Sequence, residues 1–495
     1  MVVNGNRKTR SFTRGWEAQS SHIVYLIVQV RSAYVTFFLL FPSSSPESFV
    51  SIRIVHHGAR EGVTGSCHQL WLDANRSILV DCGIFQGDDA RKNPNPEIRF
   101  PLRGIEALLL THVHMDHIGR IPYLLAAGWE GPIFCSRPTA KLLPLMMEDA
   151  LRIGFTRNRR MIDACLGKIG KLLRPVHYFD WVKLPGHAKL RLRPAGHVLG
   201  SAIAEVELFH GEMAVFSGDL GPHNEPLLRP FTSPPRADLL VLESTYGDRL
   251  HESRENRQEV LESLLRSTLA NRGVTIIPAF SLGRTQSLLF EMNQIFERVQ
   301  TTEHRSLMKQ VDVIVDSPLA TRFTEIYEEL REYWGEEAQQ VLLVDDQPLV
   351  FENLTTVGDY REHDELIHYL DRHELPAIVI AGSGMCTGGR VVNYLKRFVG
   401  QPQTDLVFAG FQAAGTPGSY LQRGSDWVIL DGKRFSVRAQ VHTISGYSAH
   451  ADQADLIRFV QGFETAPAQI RLVHGEYQAK KVLAGKLTEL GYQVD

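Results

Sequence analysis

Short apolar runs that stop abruptly at a histidine or a carboxylate recur along this chain. Residues 105–110 are mostly apolar and read as a buried strand that stops at Thr111. Met213-Ala214-Val215-Phe216 runs into Ser217-Gly218-Asp219, Leu239-Leu240-Val241-Leu242 into Glu243, and Ile470-Arg471-Leu472-Val473 into His474. Residues 51–55 alternate as a half-buried strand, and 68–72 with 77–81 form a hairpin turned at Asp73-Ala74-Asn75. Helical periodicity predicts helices at 121–127, 140–151, 255–270, 325–333 and 454–463, with a last one running to Leu490. Between 248 and 446, strands at 274–278, 311–315 and 378–381 alternate with helices, which predicts a doubly wound α/β module. Residues 316–320 read as a loop, and 427–430 with 434–441 as a hairpin turned at Asp431-Gly432.

Residues 1–51 do not fit this pattern. Lys8, Arg10 and Arg14 precede an apolar stretch, 23–41, interrupted by Gln29, Arg31 and Ser32. An arginine near the middle of a span costs about 2.5–3.5 kcal/mol on insertion scales, so a dispensable extension is expected in place of a membrane anchor. Pro42-Ser43-Ser44-Ser45-Pro46 then reads as a linker. At 495 residues the chain exceeds one ordinary domain, so two modules are expected. A net charge of −3 announces no global basic field for nucleic acid, although a local basic groove is compatible with it. The five cysteines are scattered without a CxxC pair, which predicts a reducing compartment, buried thiols and no thiolate zinc site.

The chemistry concentrates after the strand at 105–110, in Thr111-His112-Val113-His114-Met115-Asp116-His117. Three imidazoles and a carboxylate within six residues suit a borderline divalent ion such as Zn²⁺. His112 and His114 point to one side of an extended segment, and Asp116 and His117 follow as the chain turns toward a second position. His197, flanked by Gly196 and Gly200, offers a third nitrogen to the first ion, and Asp219 has two oxygens with which to bridge two. Asp81 fits either a solvated turn or a carboxylate that orients a ligand histidine. His474 fits a last ligand and His450, just before a helix, an acid/base. His177, His187 and His210 read as ordinary surface histidines. Gly382-Ser383-Gly384-Met385-Cys386-Thr387-Gly388-Gly389 resembles a phosphate-cradling loop before a helix, without the Lys-Ser/Thr ending that nucleotide hydrolysis needs.

With these residues in place, the chain from about Ile52 onward resembles the metallo-β-lactamase superfamily and, within it, the β-CASP ribonucleases. The motifs are Asp81, His112-Val113-His114-Met115-Asp116-His117, His197, Asp219, Glu243, Ser448-Ala449-His450 and His474-Gly475-Glu476. The resemblance implies a four-layer αββα fold, its first part at 52–247 and its C-terminal part at 447–495, with an α/β β-CASP module inserted at 248–446. It implies two zinc ions, with manganese open. One takes His112, His114, His197 and Asp219; the other takes Asp116, His117, Asp219 and His474. Such ions sit about 3.5–4 Å apart and share a hydroxide that attacks phosphorus. Asp116, His450 and Glu243 are the implied catalytic residues, His450 as the acid for the leaving oxygen with Glu243 holding it; Asp81 stands behind the ligands. Ser383, Gly384 and Ser448 are the implied phosphate contacts.

His474 marks the RNA-acting branch, where the DNA-processing branch usually carries an aliphatic residue. The expectation is therefore a zinc-dependent ribonuclease acting on single-stranded RNA in RNA processing or decay, cytoplasmic and without stable membrane association. Endonuclease and 5′ exonuclease action both stay open, as does a homodimer, though not through an appended dimerisation domain like that of ribonuclease J. The competing readings are an ester or lactone hydrolase of the same fold, a DNA nuclease, and an inactive RNA-binding scaffold. The inserted module argues against the first, and the complete ligand set against the last.

Overall fold

The computed structural model describes residues 52–300, 311–373 and 375–495, the side chains of 299 and 300 apart. The proposed extension at 1–51 lies outside them. Among the described residues no helix is long and apolar enough to cross a membrane.

Two six-stranded sheets face each other. The first runs, in spatial order, Ile54–Gly58, Cys67–Trp71, Ser77–Val80, Ile105–Leu109, Ile133–Ser136 and Leu173–Val176. The second runs Ile470–Val473, Leu239–Glu243, Met213–Phe216, Ala202–Glu207, Lys189–Pro194 and Trp181–Lys183. Period-two alternation builds the layers. Ile78, Val80, Ala107 and Leu109 of the first sheet pack with Leu190, Leu192, Ala204, Phe216 and Val241 of the second. The intervening Leu79 and Leu108 face the other way, onto Leu124, Leu142 and Met147 of the helices Ile121–Ala126 and Arg137–Gly154. On the far side Leu240, Leu242 and Leu472 pack on Leu456 and Phe459 of Gln453–Gln461 and Leu483 of Tyr477–Glu489. The order of layers is αββα, as expected from the resemblance.

The third sheet is entirely parallel: Leu354–Thr356, Asp312–Asp316, Ala377–Ala381, Val274–Pro278, Asp405–Phe408 and Gln440–Thr443. Its four inner strands are buried on both faces and read as mostly apolar runs for that reason, whereas the edge strands Leu354–Thr356 and Gln440–Thr443 are partly exposed. The sequence between Leu239–Glu243 and Ile470–Val473 contains this whole sheet, yet these two strands are parallel neighbours, with Leu242 opposite Leu472.

Three elements differ from the sequence reading. The first strand starts at Ile54 and takes in His56 and His57, because its register is set by the pairing of Ile54 with Leu70. Residues 316–320 are not a loop throughout: Ser317 accepts from the Ala320 amide and Pro318 opens the helix Pro318–Glu329, a favoured start. Residues 434–441 do not form one strand. Lys433–Ser436 closes the hairpin with Trp427–Leu430, and Gln440–Thr443 leaves it to pair with Asp405–Phe408.

Candidate metal centre

The metal-ligand candidates sit where strands of both sheets end, on one rim of the sandwich. After Ile105–Leu109 the chain bends at Thr111, is extended at His114 and then makes one helical turn, Met115–Ile118, which turns Asp116 and His117 aside from His112 and His114. His197 comes from the loop joining Lys189–Pro194 to Ala202–Glu207, Asp219 follows Met213–Phe216, and His474 follows Ile470–Val473. Asp81 and His474 both hold left-handed backbone, φ 61° and 53°. For a histidine this costs roughly 1–2 kcal/mol, and the His474 amide is fixed there by donating to the Ala59 carbonyl at 2.7 Å.

Four of the five imidazoles have Nδ1 committed outward, and this decides which nitrogen faces in; His114 instead turns Nδ1 inward. The Thr111 hydroxyl donates to Asp81 at 2.8 Å and so accepts from His112 Nδ1 at 3.2 Å. His117 Nδ1 donates to Asp81 at 2.7 Å and His197 Nδ1 to the Ala449 carbonyl at 2.8 Å. Thr245 donates to the His474 carbonyl and accepts from His474 Nδ1, both at 3.1 Å. On these four rings Nε2 is therefore the nitrogen that faces inward, its place fixed by outer partners as metal-binding histidines require, and it offers a lone pair wherever it carries no proton.

The inward atoms form two clusters. His112 Nε2 and His197 Nε2 approach His114 Nδ1 at 3.1 and 3.0 Å, and each lies 3.6 Å from Asp219 Oδ2. On the other side, Asp219 Oδ1 lies 3.2 Å from His117 Nε2 and 3.6 Å from His474 Nε2, which is itself 3.3 Å from Asp116 Oδ2. His117 Nε2 and Asp219 Oδ1 are both buried and, although 3.2 Å apart, are not aligned for a hydrogen bond. Orphaned polar atoms of this kind are expensive in a protein interior unless a cation satisfies them. Nitrogens and carboxylates, with no thiolate, fit a divalent ion at each cluster.

Glu243 and His450 form a third group beside Asp219. Its distances alone would admit an ion, but Glu243 is already engaged. One oxygen accepts from the Leu220 amide at 2.7 Å and lies 3.2 Å from His450 Nδ1, and the other accepts from the Thr245 amide at 3.3 Å. The His450 side chain keeps 15% of its surface exposed. Ser448, expected at a phosphate, is buried and accepts from the His450 amide at 3.2 Å. In the 382–389 loop, the amides of Ser383, Cys386 and Thr387 bond within the loop, and the next helix starts only at Val391. Ser383 is partly exposed there, whereas Gly384 is buried.

Burial pushes His112 and His197 well below the ordinary imidazole value and takes His114 to about 4, so these three are neutral. Burial acts the same way on His117 and His474, but Asp219 outweighs it. With Asp81 helping at His117 and Asp116 at His474, the former rises well above the usual value and the latter to about 9. Asp116 and Asp219 are held below the carboxylate range: burial opposes this, and His474 and His117 overcome it. His117 and His474 thus carry protons in the metal-free protein, and a cation must displace them. Metal affinity is expected to keep rising between about pH 6.5 and about 9, by about tenfold per unit for each proton released. Competition with a metallochromic chelator across that range measures it; an affinity that is flat above about pH 7 would contradict the assignment.

Two features had no mark in the sequence. Behind Asp81, Ser66 lies 3.5 Å from its carboxylate and 3.2 Å from His68 Nε2, and His68 Nδ1 meets His56 Nδ1 at 2.8 Å. At the mouth, the 42 % exposed Phe280 has its ring 6.1 Å from that of His114. Gly384 lets it sit there, since a Cβ at that residue would lie 2.8 Å from the ring. His177, His187 and His210 are exposed, as expected.

Comparison with known proteins agrees with this architecture. Residues 62–267 match the model of the metallo-beta-lactamase superfamily and 285–421 that of the Beta-Casp domain. Residues 434–495 match the Zn-dependent metallo-hydrolase RNA specificity domain. Ribonuclease TTHA0252 of Thermus thermophilus is 37% identical over 442 residues, 89% of this chain and 96% of that protein. Transcription termination factor FttA of Methanocaldococcus jannaschii is 32% identical, covering 86% of this chain and 67% of the relative. The FttA of Methanosarcina mazei is 29% identical, over 88% and 69% respectively. With two facing sheets, an inserted parallel sheet and a buried His/Asp cluster at their rim, the chain belongs to the β-CASP metallo-β-lactamase family of ribonucleases, metal-dependent hydrolases that act on RNA.

Proposed function

We propose that this protein is a zinc-dependent ribonuclease that hydrolyses phosphodiester bonds of single-stranded RNA at a dinuclear centre, in RNA processing or decay in the cytoplasm. The observation that carries the dinuclear reading is Asp219, which turns one oxygen toward His112 and His197 and the other toward His117 and His474. His112, His114, His197 and Asp219 would hold one ion, and Asp116, His117, His474 and Asp219 the other. When bound, such a pair supplies an acidified water and positive charge over the phosphate oxygens.

The chain's own residues do the rest. Asp81 and Thr245 keep His117 and His474 in the tautomer that faces inward. Asp116, with its side chain 18% exposed, borders the cleft and takes the proton of the attacking water. His450, oriented by Glu243 at Nδ1, delivers a proton from Nε2 to the leaving oxygen. Ser448 serves by holding the His450 amide. Ser383 at the partly exposed rim of its loop is the phosphate contact, and Gly384 seats Phe280.

Phe280 supports a single-stranded substrate, because an exposed ring beside the reacting centre stacks on a base only when that base is unpaired. Residues 248–446 are the inserted module in this reading, supported by the pairing of Leu239–Glu243 with Ile470–Val473 across it.

Metal-loaded protein should cut a labelled single strand of RNA and leave the matching RNA duplex, DNA strand and a simple ester intact. Phe280→Ala should raise KM by roughly 5- to 100-fold, the worth of one base–aromatic stack, with kcat little changed. Equal cutting of the duplex, or an unchanged KM in the variant, would refute the single-strand reading.

A further inference from the structure

The chain crosses between the sandwich and the third sheet twice, outward at 244–253 and back at 444–452, and His450 lies on the return crossing. His251 lies on the outward one. Its amide donates to Asp452 Oδ2 at 2.9 Å, and its Nε2 donates to the His450 carbonyl at 3.0 Å. Since a carbonyl only accepts, His251 is the Nε2–H tautomer, and its Nδ1 is buried with no hydrogen-bond partner. Tyr246 closes the other side of the ring, edge to face at 4.5 Å between centroids. Burial lowers His251 further and keeps it neutral.

His450 is thereby held at three points. Ser448 takes its amide proton at 3.2 Å, Glu243 takes Nδ1 at 3.2 Å, and His251 takes its carbonyl. The first two come from the His450 loop and the sandwich. Only His251 comes from the outward crossing, where Glu252 also donates from its amide to Ser445 at 3.1 Å. The Ala451 amide, at the other end of the same peptide, donates to the Leu220 carbonyl at 2.7 Å, so His251 is what fixes the carbonyl end. A general acid works only within hydrogen-bond reach of its leaving oxygen, and a tilt of that peptide would misplace Nε2 even with Glu243 intact.

We propose that His251 is a positioning residue for proton delivery: by clamping the His450 carbonyl it sets the angle at which His450 Nε2 meets the leaving oxygen. The inference rests on the reading of His450 as the general acid. It makes a demand that a mere staple between the two crossings does not. Loss of His251 must matter in proportion to how badly the leaving group needs a proton.

The test uses the full-length, metal-loaded protein and RNA with one phosphodiester whose bridging oxygen is replaced by sulfur, made in both the 3′ and 5′ series. A thiolate leaves without protonation. His251→Ala is expected to lower kcat on ordinary RNA by roughly tenfold or more, with KM and metal content unchanged. His251→Gln, whose amide can donate to the same carbonyl, should recover most of it. On the sulfur substrate that the enzyme cleaves, the His251→Ala deficit should vanish. A wild-type kcat in His251→Ala, or the same deficit on both substrates, would overturn the proposal. His450→Ala on ordinary RNA separates the two levels. Full activity there would bring down the general-acid reading and this inference with it, whereas a crippled His450→Ala beside a normal His251→Ala would sink the inference alone.

Discussion

Asp219→Ala is expected to abolish RNA hydrolysis, by about 10⁴-fold or more in kcat, and to leave the protein with roughly one metal ion per chain or fewer. Each Asp219 oxygen faces the inward nitrogens of one cluster within 4 Å: Oδ2 those of His112 and His197, Oδ1 those of His117 and His474. Without it, the first cluster keeps three neutral imidazoles and no anion, and the second keeps Asp116 alone. Two dications brought close repel strongly in a buried site unless a shared anion lies between them. Asp219→Asn, which preserves shape and one oxygen, should fail almost as completely, because it is the charge that both clusters share. Elemental analysis of the purified variants together with single-turnover cleavage decides this. Two ions per chain with a near-normal rate would refute the bridging role.

His450→Ala should behave differently. A loss of roughly 10²- to 10⁴-fold in kcat is expected, the range for removing a general acid, with KM and metal content close to wild type. The metal count matters because Asp219, Glu243 and His450 lie close enough to suggest a third ion site. The Leu220 and Thr245 amides and His450 Nδ1 already occupy the Glu243 carboxylate, and His450 Nδ1 stands 3.9 Å from Asp219. A catalytic acid can be removed without loss of metal, and a ligand cannot. If His450→Ala lost an ion, its assignment would have to move from acid to ligand.

Much of the site was legible before any coordinates, for a physical reason. A strand buried on both faces is an apolar run, and the first polar residue after it sits on the rim, so Asp219, Glu243 and His474 announce themselves at the ends of such runs. His112, His114, Asp116 and His117 are close in sequence as well as in space. What stayed hidden depends on pairing between distant segments. His251 meets His450 from 199 residues away, in a loop with no periodicity. His68 reads as one more strand residue, and only the register of Cys67–Trp71 against Ile54–Gly58 brings it to His56. Phe280 carries no mark in the sequence, and its place follows from Gly384, whose missing side chain makes room beside the site. The helix Pro318–Glu329 did carry a local mark in Ser317 and Pro318, which a loop reading passes over.

The pairing of Leu239–Glu243 with Ile470–Val473 also dictates an order of assembly. As the chain is synthesised, Leu239–Glu243 is complete long before its neighbour exists, and it presents a bare apolar edge of the kind that recruits other strands. Joining ends separated by so long a segment is slow unless that segment is already compact. The inserted sheet is built from its own parallel strands, and its two chain connections meet where Tyr246 bridges Asp452 and the Gln453 amide donates to the Arg249 carbonyl. Folding of the insertion therefore delivers Ile470–Val473 to the waiting edge. His112, His114, His197 and Asp219 all precede the insertion in the chain, but His197 gains its Ala449 partner, and the centre gains His474, only with the segment that follows it. A nascent chain thus lacks His474, and with it the second cluster, until Ile470–Val473 has joined the sheet.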